Sequence, residues 1–268
     1  MKKVLSVAVA SLFVMSCTQS PKDATESSEP TTITWIEDKP GPTLQEHRIF
    51  PAVPDSLWEA LDLQEGVPSS MSCFLLRAEG KTILLDAGLG APFSQLLPRL
   101  NEEGVNPDSL QLIYITHMHA DHIGVLLTDS AGSPAKVFPN AELWINHVEA
   151  EAWTAMDDDN ANLPKTVLEV YKDNIKLFEA GDTLPGGVTS IAAYGHTPGH
   201  TVFQKDSILV IADLMHGAAL QLKHPEYCPF FDMNPEEAIA SRKRILEYAK
   251  DNNLTMYGMH IPNGIVKE

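Results

Sequence analysis

Three imidazoles and one carboxylate stand within six residues of this chain, close behind an apolar run. The run 110–115 is followed, after one threonine, by the motif His117-x-His119-x-Asp121-His122. Imidazole nitrogen and carboxylate oxygen are the ligand types that zinc and other borderline divalent metals take in proteins. The motif therefore predicts a metal site in a loop at the end of a buried strand. The alternative is a polar surface loop in which the histidines occur by chance.

Further potential ligands occupy the same kind of position later in the chain. His196, Asp213 and His260 each stand at or just past the end of an apolar stretch that is typical of a strand. Since helical patterns alternate with these strands, the chain is expected to form layers of helix and sheet. The ends of strands in a sheet can converge on one cleft, so ligands that are far apart in the sequence can meet there.

Composition narrows the class of protein. The chain has 268 residues, of which 44% are hydrophobic and 21% are charged, as in a soluble globular protein of one large or two small domains. The net charge of −17 argues against nucleic acid or an anionic membrane as the main partner, because phosphate binding needs clusters of Lys and Arg. The basic run Arg242-Lys243-Arg244 is interpreted as a solvated helix face.

The first residues resemble an export signal. Two lysines precede the apolar stretch 4–14, which is too short to span a bilayer as a mature helix. Val14, Ser16 and Cys17 then resemble a bacterial lipobox, which implies that residues 1–16 are a lipoprotein signal peptide and that Cys17 is the lipidation site. An ordinary signal peptide with an incidental Cys17 is the alternative.

The segment 17–32 is rich in Ser, Thr, Pro and acidic residues, so it is predicted to be a flexible tether ahead of a catalytic domain at 33–268. We therefore expect an exported lipoprotein of the bacterial cell envelope, periplasmic or outer-membrane-associated, that meets the membrane only through its lipid anchor. Cys73 and Cys228 can pair in that compartment or remain as buried thiols.

The chain from about residue 70 to its end resembles the metallo-β-lactamase-fold hydrolases. The residues that carry this resemblance are His117-x-His119-x-Asp121-His122, Gly195-His196-Thr197-Pro198-Gly199-His200, Asp213, His260 and, upstream, Leu85-Asp86-Ala87-Gly88. The final segment is similar to the methyl-parathion-hydrolase-like branch, and the quorum-quenching lactonases are a neighbouring branch. The resemblance implies the α/β fold class, as a four-layer αββα sandwich with its site at one edge of the sheets.

The resemblance also implies a set of ligands for two divalent metal ions, with zinc the expected metal. One ion would be held by His117, His119 and His196, the other by Asp121, His122 and His260, and Asp213 would bridge both. Three protein ligands per zinc leave a position open for water or substrate, as a catalytic site requires. A water between two ions loses its proton near neutral pH and becomes a nucleophile.

Other residues receive supporting roles from the same comparison. Asp86 and His200 are expected behind the ligands, where they would orient a ligand or its loop. Asp121, Asp213 and His216 are the candidate catalytic residues, and His216 is expected to offer a hydrogen bond to the leaving group. A loop histidine outside the cleft is the alternative for His216.

These residues predict a binuclear zinc-dependent hydrolase that uses a metal-bridging hydroxide to cleave a lactone, ester or organophosphate-type bond in a small molecule. An envelope metallo-β-lactamase is one alternative, and turnover of nitrocefin would separate the two. An iron-dependent oxidoreductase of the same fold is another; its di-iron members usually carry Glu where this chain has His119. A catalytically silent binding protein is the third alternative. The substrate, the native metal and the oligomeric state stay open at this point.

Overall fold

Two β-sheets run through the part of the chain that the computed structural model describes, which is Met1 and residues 30–267. Cys17, most of the predicted signal peptide and most of the predicted tether lie outside the described residues. The strands are β1 Thr32–Glu37, β2 Thr43–Gln45, β3 Val67–Ser69, β4 Ser72–Ala78, β5 Lys81–Leu85, β6 Leu112–Ile115, β7 Leu127–Ser130, β8 Ser133–Lys136, β9 Glu142–Asn146, β10 Ile175–Phe178, β11 Thr183–Leu184, β12 Val188–Ala192, β13 Thr201–Lys205, β14 Ile208–Val210 and β15 Thr255–Tyr257.

Helices separate these strands. They are α1 Asp55–Ala60, α2 Leu96–Glu102, α3 Ala120–Ile123, α4 His147–Ala155, α5 Asn162–Val170, α6 Ala218–Gln221 and α7 Pro235–Asp251. The first sheet has the strand order β1-β4-β5-β6-β9-β10, and the second has the order β11-β12-β13-β14-β15. Two small hairpins, β2–β3 and β7–β8, lie outside both sheets. In the described part of the chain, no helix is both long and apolar enough to cross a bilayer.

A shared core joins the two sheets face to face. Alternate residues of a strand point to opposite faces, so Phe74, Leu76 and Tyr114 of the first sheet turn toward the second. There they pack in one buried cluster with Phe203 and Val210 of the second sheet. Each sheet thus buries the inner face of the other. The outer face of each sheet has to be buried by other elements.

Helices supply that cover on the first sheet. Cys73 and Leu75, the outward neighbours of the inward residues of β4, pack with Leu100 of α2, Trp153 of α4 and Val167 of α5. On the second sheet, Val202 and Leu209 pack with Ile245 and Ala249 of α7. The order of layers is therefore helix, sheet, sheet, helix, and the predicted αββα fold is confirmed.

The amphipathic pattern of residues 235–251 predicts a helix, and α7 has these bounds. Asn234 fixes its start, because the Asn234 side chain accepts a hydrogen bond from the Glu237 backbone N–H and Pro235 follows at the first helical position. The apolar stretch 123–127 predicts the opening of a helix, and this prediction is wrong. Gly124–Leu126 forms a single 3₁₀ turn, and the chain then enters β7 at Leu127.

The two described cysteines, Cys73 and Cys228, are both free thiols. Cys73 is buried in the outer core of the first sheet, whereas Cys228 is partly exposed. Neither therefore forms a disulfide that supports the sandwich.

The interpretation of Arg242 as part of a solvated helix face is wrong. Its side chain is 1% exposed, and its Nε donates to the Leu214 carbonyl oxygen at 2.6 Å while Nη1 donates to the Pro225 carbonyl oxygen at 2.8 Å. Its Nη2 donates to Asp232 Oδ2 at 3.2 Å. The five donors of a guanidinium can serve several acceptors at once, so Arg242 ties α7 to the loop between α6 and α7. Lys243, the next residue, is exposed.

We expect Arg242→Ala to lower the free energy of unfolding by about 3–5 kcal/mol, because it leaves the buried carboxylate of Asp232 without its cation. Lys243→Ala is the matched control, and its exposed side chain should change stability by less than about 0.5 kcal/mol. Urea unfolding of both variants measures the difference. Equal stabilities for the two variants would contradict the buried position of Arg242.

Candidate metal centre

Three histidines from two loops meet at one edge of the sandwich. His117 and His119 lie just past the end of β6, and His196 lies in the loop between β12 and β13. His119 Nδ1 lies 2.9 Å from His196 Nε2, and His196 Nε2 lies 3.2 Å from His117 Nε2. We call this group the first site; its three ligand atoms all lie within 4.8 Å of one another.

A second group forms beside it. Asp121 and His122 stand in the first turn of α3, and His260 follows β15. His260 Nε2 lies 3.3 Å from Asp121 Oδ2, and His122 Nε2 lies 3.7 Å from the same oxygen. We call Asp121, His122 and His260 the second site.

The carboxylate of Asp213 lies between the two sites. Its Oδ2 is 3.4 Å from His196 Nε2 of the first site and 3.1 Å from His260 Nε2 of the second. Its Oδ1 is 3.2 Å from His122 Nε2. A group that faces both sites in this way has the position of a bridging ligand.

The backbone leading to Asp213 is bent. Ala212 has a φ of +47°, a left-handed conformation that residues with a side chain rarely adopt. β14 ends at Val210, and the bend comes two residues later. It turns Asp213 back toward the loop that follows β6. Strain of this kind persists only where surrounding contacts enforce it, and here it places the carboxylate that faces both sites.

Two glycines let the loop of His196 approach its neighbours. A side chain on Gly195 would place its Cβ 2.1 Å from the Ala238 backbone nitrogen, and one on Gly199 would place it 2.3 Å from the Glu149 backbone nitrogen. The loop is therefore wedged between α7 and α4, and it can only take this path with glycine at both positions.

The outer ring nitrogens of three histidines are held by fixed partners. His196 Nδ1 donates to Asp232 Oδ1 at 2.8 Å, and His260 Nδ1 donates to the Ser70 carbonyl oxygen at 2.9 Å. His122 Nδ1 donates to Asp86 Oδ2 at 2.7 Å. Each of these outer nitrogens carries the proton, so in the neutral ring Nε2 points into the centre with a lone pair.

His117 is held by a two-step chain. The Thr116 hydroxyl donates to Asp86 Oδ2 at 2.7 Å, so it accepts from His117 Nδ1 at 3.0 Å. Asp86 also accepts a hydrogen bond from the Thr116 backbone N–H at 2.8 Å. The buried Asp86 carboxylate thereby orients one histidine ring of each site, His117 and His122.

The residues present fit a metal ion at each site. In tetrahedral coordination with bonds of about 2.0–2.1 Å, neighbouring ligand atoms are about 3.3 Å apart. The four separations given above run from 2.9 to 3.7 Å, and all ligand atoms of each site lie within 4.8 Å of one another. His122 Nε2 and Asp213 Oδ1 are buried and face each other at 3.2 Å, but neither makes a hydrogen bond among the described residues. Such orphaned atoms are costly unless a cation satisfies them.

Burial keeps the first site neutral. It lowers the pKa of His117 well below its usual range, that of His119 to about 4 and that of His196 to about 3. Neutral imidazole is the form that binds metal, so the first site is in its binding form at neutral pH.

The second site has the opposite electrostatics. Burial opposes a charge on His122 and His260, but the carboxylates outweigh it, chiefly Asp213 with Asp121. They raise the pKa of His122 well above its usual range and that of His260 to about 10. Despite burial, the imidazoles in turn lower the pKa of Asp213 and Asp121. Protons thus balance the carboxylates, and a divalent ion has to displace them to bind.

Asp86 and His200, which the sequence analysis expected to support the site, lie behind the rings of the two sites. Asp86 bonds to His122 and Thr116, as described above. His200 donates from Nδ1 to the Ala193 carbonyl oxygen and accepts from the Asp213 backbone N–H at 3.2 Å. His216 lies inside the cleft, with Nε2 3.0 Å from Asp213 Oδ2 and its ring stacked on His260 at 4.9 Å.

Two supporting carboxylates, Asp232 and Glu149, received no role in the sequence analysis. Asp232 binds both His196 and Arg242, and Glu149 accepts four hydrogen bonds from groups around the first site. Asp232 sits in a loop and Glu149 on a helix with several acidic residues, so no local pattern singles them out. Only the folded chain brings them to the ligands.

A cavity of about 1070 Å³ opens onto the centre, and His119, Asp121, Asp213, His216 and His260 lie in its floor. Its walls combine polar and apolar side chains. The apolar ones include Leu44, Ile49, Trp153, Met156, Leu163, Phe230, Phe231 and Met233. Leu44, Phe230 and Met233 are 50%, 61% and 44% exposed, so the rim presents apolar surface to solvent.

Comparison with known proteins agrees with this geometry. The family model of the metallo-beta-lactamase superfamily matches residues 66–260. An N-acyl homoserine lactonase of Bacillus thuringiensis is 27% identical over 216 residues, which span 70% of this chain and 80% of the lactonase.

Two solved structures are similar in fold. AidC, a dizinc quorum-quenching lactonase solved with its product, superposes with a TM-score of 0.78 at 22% identity over 88% of this chain and 89% of its own. The hydrolase AbOPH of the beta lactamase superfamily gives a TM-score of 0.75 at 24% identity over 89% of this chain and 91% of its own. At these identities the likeness shows the fold.

We expect zinc to stabilise the chelator-treated protein, because an ion that binds only the folded state adds about 2.7 kcal/mol at a free concentration one hundred times its Kd. Asp213→Asn should lose most of this gain, since Asp213 faces both sites. The measurement is the Tm with and without zinc. His147→Asn is the matched control, since His147 pairs with Glu179 outside the centre. Equal zinc-induced shifts in wild type and Asp213→Asn would contradict the shared position of Asp213.

Proposed function

The chain belongs to the metallo-β-lactamase superfamily, and from that premise we propose that it is a binuclear zinc-dependent hydrolase of lactones. The family and the hydrolase class rest on the match over residues 66–260 and on the lactonase relative. The observation that carries the binuclear proposal is the position of Asp213 Oδ2, 3.4 Å from His196 Nε2 and 3.1 Å from His260 Nε2. A carboxylate so placed can serve two ions at once.

Two zinc ions would supply Lewis acidity toward a carbonyl oxygen and a water acidic enough to act as nucleophile near neutral pH. His117, His119 and His196 would hold one ion, Asp121, His122 and His260 the other, with Asp213 between them. The chain contributes rigidity, because Asp86, Asp232 and Ser70 hold the outer nitrogens of the ligand rings. A preorganised site of this kind needs little rearrangement during the reaction.

His216 is proposed to assist the leaving oxygen. Its side chain is 1% exposed, and it lies in the cavity floor with Nε2 held 3.0 Å from Asp213 Oδ2. A proton on Nε2 therefore sits at the junction of the two sites, where the reacting bond of a substrate would lie. Ring opening leaves an alkoxide on the former ring oxygen, and a hydrogen bond from His216 would stabilise that developing charge.

The cavity favours an uncharged substrate with an apolar portion. Apolar side chains form one part of its walls, and Trp153 and Phe231 bring them next to the centre. Glu46, Asp158 and Asp159 also line it, and the whole chain carries a charge of −17. This charge disfavours polyanionic substrates. A neutral lactone with an acyl chain meets both conditions, and the lactonase relative acts on such a molecule by its name.

We also propose that the protein acts in the bacterial envelope as a lipoprotein anchored at Cys17. The support is the sequence of the first seventeen residues, with its basic start, its apolar stretch and the lipobox-like Val14-Met15-Ser16-Cys17. Detection of a lipid-modified peptide that begins at Cys17 would test this, and a mature chain that begins at another residue would contradict it.

The test of function is a substrate panel with purified protein, with and without chelator. The panel contains N-acyl homoserine lactones, an aryl ester, an organophosphate triester and nitrocefin. We expect the lactones to be hydrolysed fastest and all turnover to stop with chelator. Nitrocefin turnover above that of lactones would overturn the substrate proposal, and activity that persists after metal removal would overturn the metal proposal.

We expect His216→Asn to lower kcat for a lactone about 100-fold with little change in bound zinc, because it removes a donor to the leaving oxygen but none of the proposed ligands. Steady-state kinetics and metal analysis measure the two effects. His224→Asn, which alters a partly exposed histidine outside the cavity lining, is the control. Loss of zinc together with activity in His216→Asn would instead make His216 a ligand.

A further inference from the structure

We propose that Glu149 is a positioning residue that holds the three histidines of the first site at the spacing one ion needs. The inference rests on the proposed function, since it assumes that the first site binds metal. Glu149 is on α4, is 1% exposed and touches none of the proposed ligand rings. Its effect has to pass through the segments that carry them.

Both carboxylate oxygens of Glu149 are fully engaged. Oε1 accepts from the Met118 backbone N–H at 2.8 Å and from Trp153 Nε1 at 2.6 Å. Oε2 accepts from the Thr197 hydroxyl at 2.7 Å and from the Gly199 backbone N–H at 2.8 Å. Four donors of this quality around one buried group are enough to fix the position of each donor.

These donors belong to the segments that form the first site. Met118 stands between His117 and His119, so its N–H fixes the backbone that carries both rings. Thr197 and Gly199 belong to the loop of His196. Glu149 therefore ties the two loops of the first site to a single point on α4.

Trp153 extends this contact to the His119 ring. Its indole donates to Glu149 from one turn further along α4, and its ring meets the His119 ring edge to face at 5.7 Å. His119 offers Nδ1 to the first site, whereas His117 and His196 offer Nε2. Packing against an anchored indole is what holds His119 in that orientation.

The chemistry of the four partners requires a carboxylate. Three of the four partners are N–H groups that can only donate, and the Thr197 hydroxyl donates in this arrangement. Glutamine has the same shape, but in either orientation its NH₂ would face at least one of these N–H groups, so at least one of the four hydrogen bonds would be lost. The negative charge also strengthens each bond, because hydrogen bonds to ionised groups are about twice as strong as neutral ones.

The loop of His196 approaches α4 closely at Gly199. A Cβ on Gly199 would lie 2.3 Å from the Glu149 backbone nitrogen and 2.6 Å from its Cβ. Glycine at this position lets the loop of His196 reach the helix closely enough for the hydrogen bond from Gly199. Gly199 and Glu149 are thus both needed for this contact.

The second site depends on other groups. Its histidines are held by Asp86 and by the Ser70 carbonyl oxygen, and none of the four donors to Glu149 belongs to Asp121, His122 or His260. A change at Glu149 should therefore weaken the first site and spare the second. A residue that only stabilised the fold would not separate the two sites.

The test measures each site alone by Co²⁺ titration of chelator-treated protein. Asp121→Asn weakens the second site, and His119→Ala removes a ligand of the first, so each background isolates one site. In Asp121→Asn protein we expect Glu149→Gln to weaken Co²⁺ binding about 10–100-fold. In His119→Ala protein it should change binding less than about 2-fold. Glu151→Gln, an exposed neighbour on α4, is the matched control and should change neither.

Unchanged affinity at the first site, or equal weakening of both sites, would overturn the role of Glu149. If Glu149→Gln does not fold, Thr197→Val replaces it, because this variant removes only one of the four hydrogen bonds. It should then weaken the first site alone, and no weakening would overturn the proposal. A wild-type protein that binds no Co²⁺ would overturn the proposed function itself, which separates the two failures.

Discussion

The centre depends on one buried carboxylate surrounded by imidazoles. Asp213 is 2% exposed, and imidazole nitrogens lie around it from 3.0 to 3.8 Å away. Removing this charge from water is costly unless positive charge replaces the solvent. The rings of His122 and His260 face this carboxylate, and in the proposed enzyme two ions would supply the positive charge. The rest of the fold serves to hold these rings in place around Asp213.

Three other buried carboxylates provide this support, each in a different way. Asp86 orients one ring of each site, through His122 directly and through Thr116 to His117. Asp232 holds His196 and is itself held by Arg242 from α7. Glu149 fixes the loop backbones rather than the rings. The centre is thus connected to helices on both outer layers of the sandwich, so its geometry is a property of the whole fold.

Local patterns in the sequence predicted much of this, and tertiary contacts account for the rest. The resemblance to a known fold family implied the αββα fold, and the local motif with the apolar strands before each ligand-type residue indicated that these residues could meet in one cleft. The burial of Arg242 could not be predicted, since this residue stands in a basic run and its partners lie up to 28 residues away. The buried position of Glu149 could not be predicted either, because a glutamate on a helix is usually exposed. Gly124 interrupts an apolar stretch that otherwise has a helical pattern, and a Cβ there would lie 2.0 Å from the Leu89 carbonyl oxygen, so only glycine fits at this close approach.

The central claim is that Asp213 lies between two ions, and anomalous diffraction from zinc-loaded crystals tests it most directly. The account predicts two zinc peaks about 3.5–4 Å apart, one on each side of the Asp213 carboxylate. A single peak, or two peaks of which neither is bound to Asp213, would contradict it.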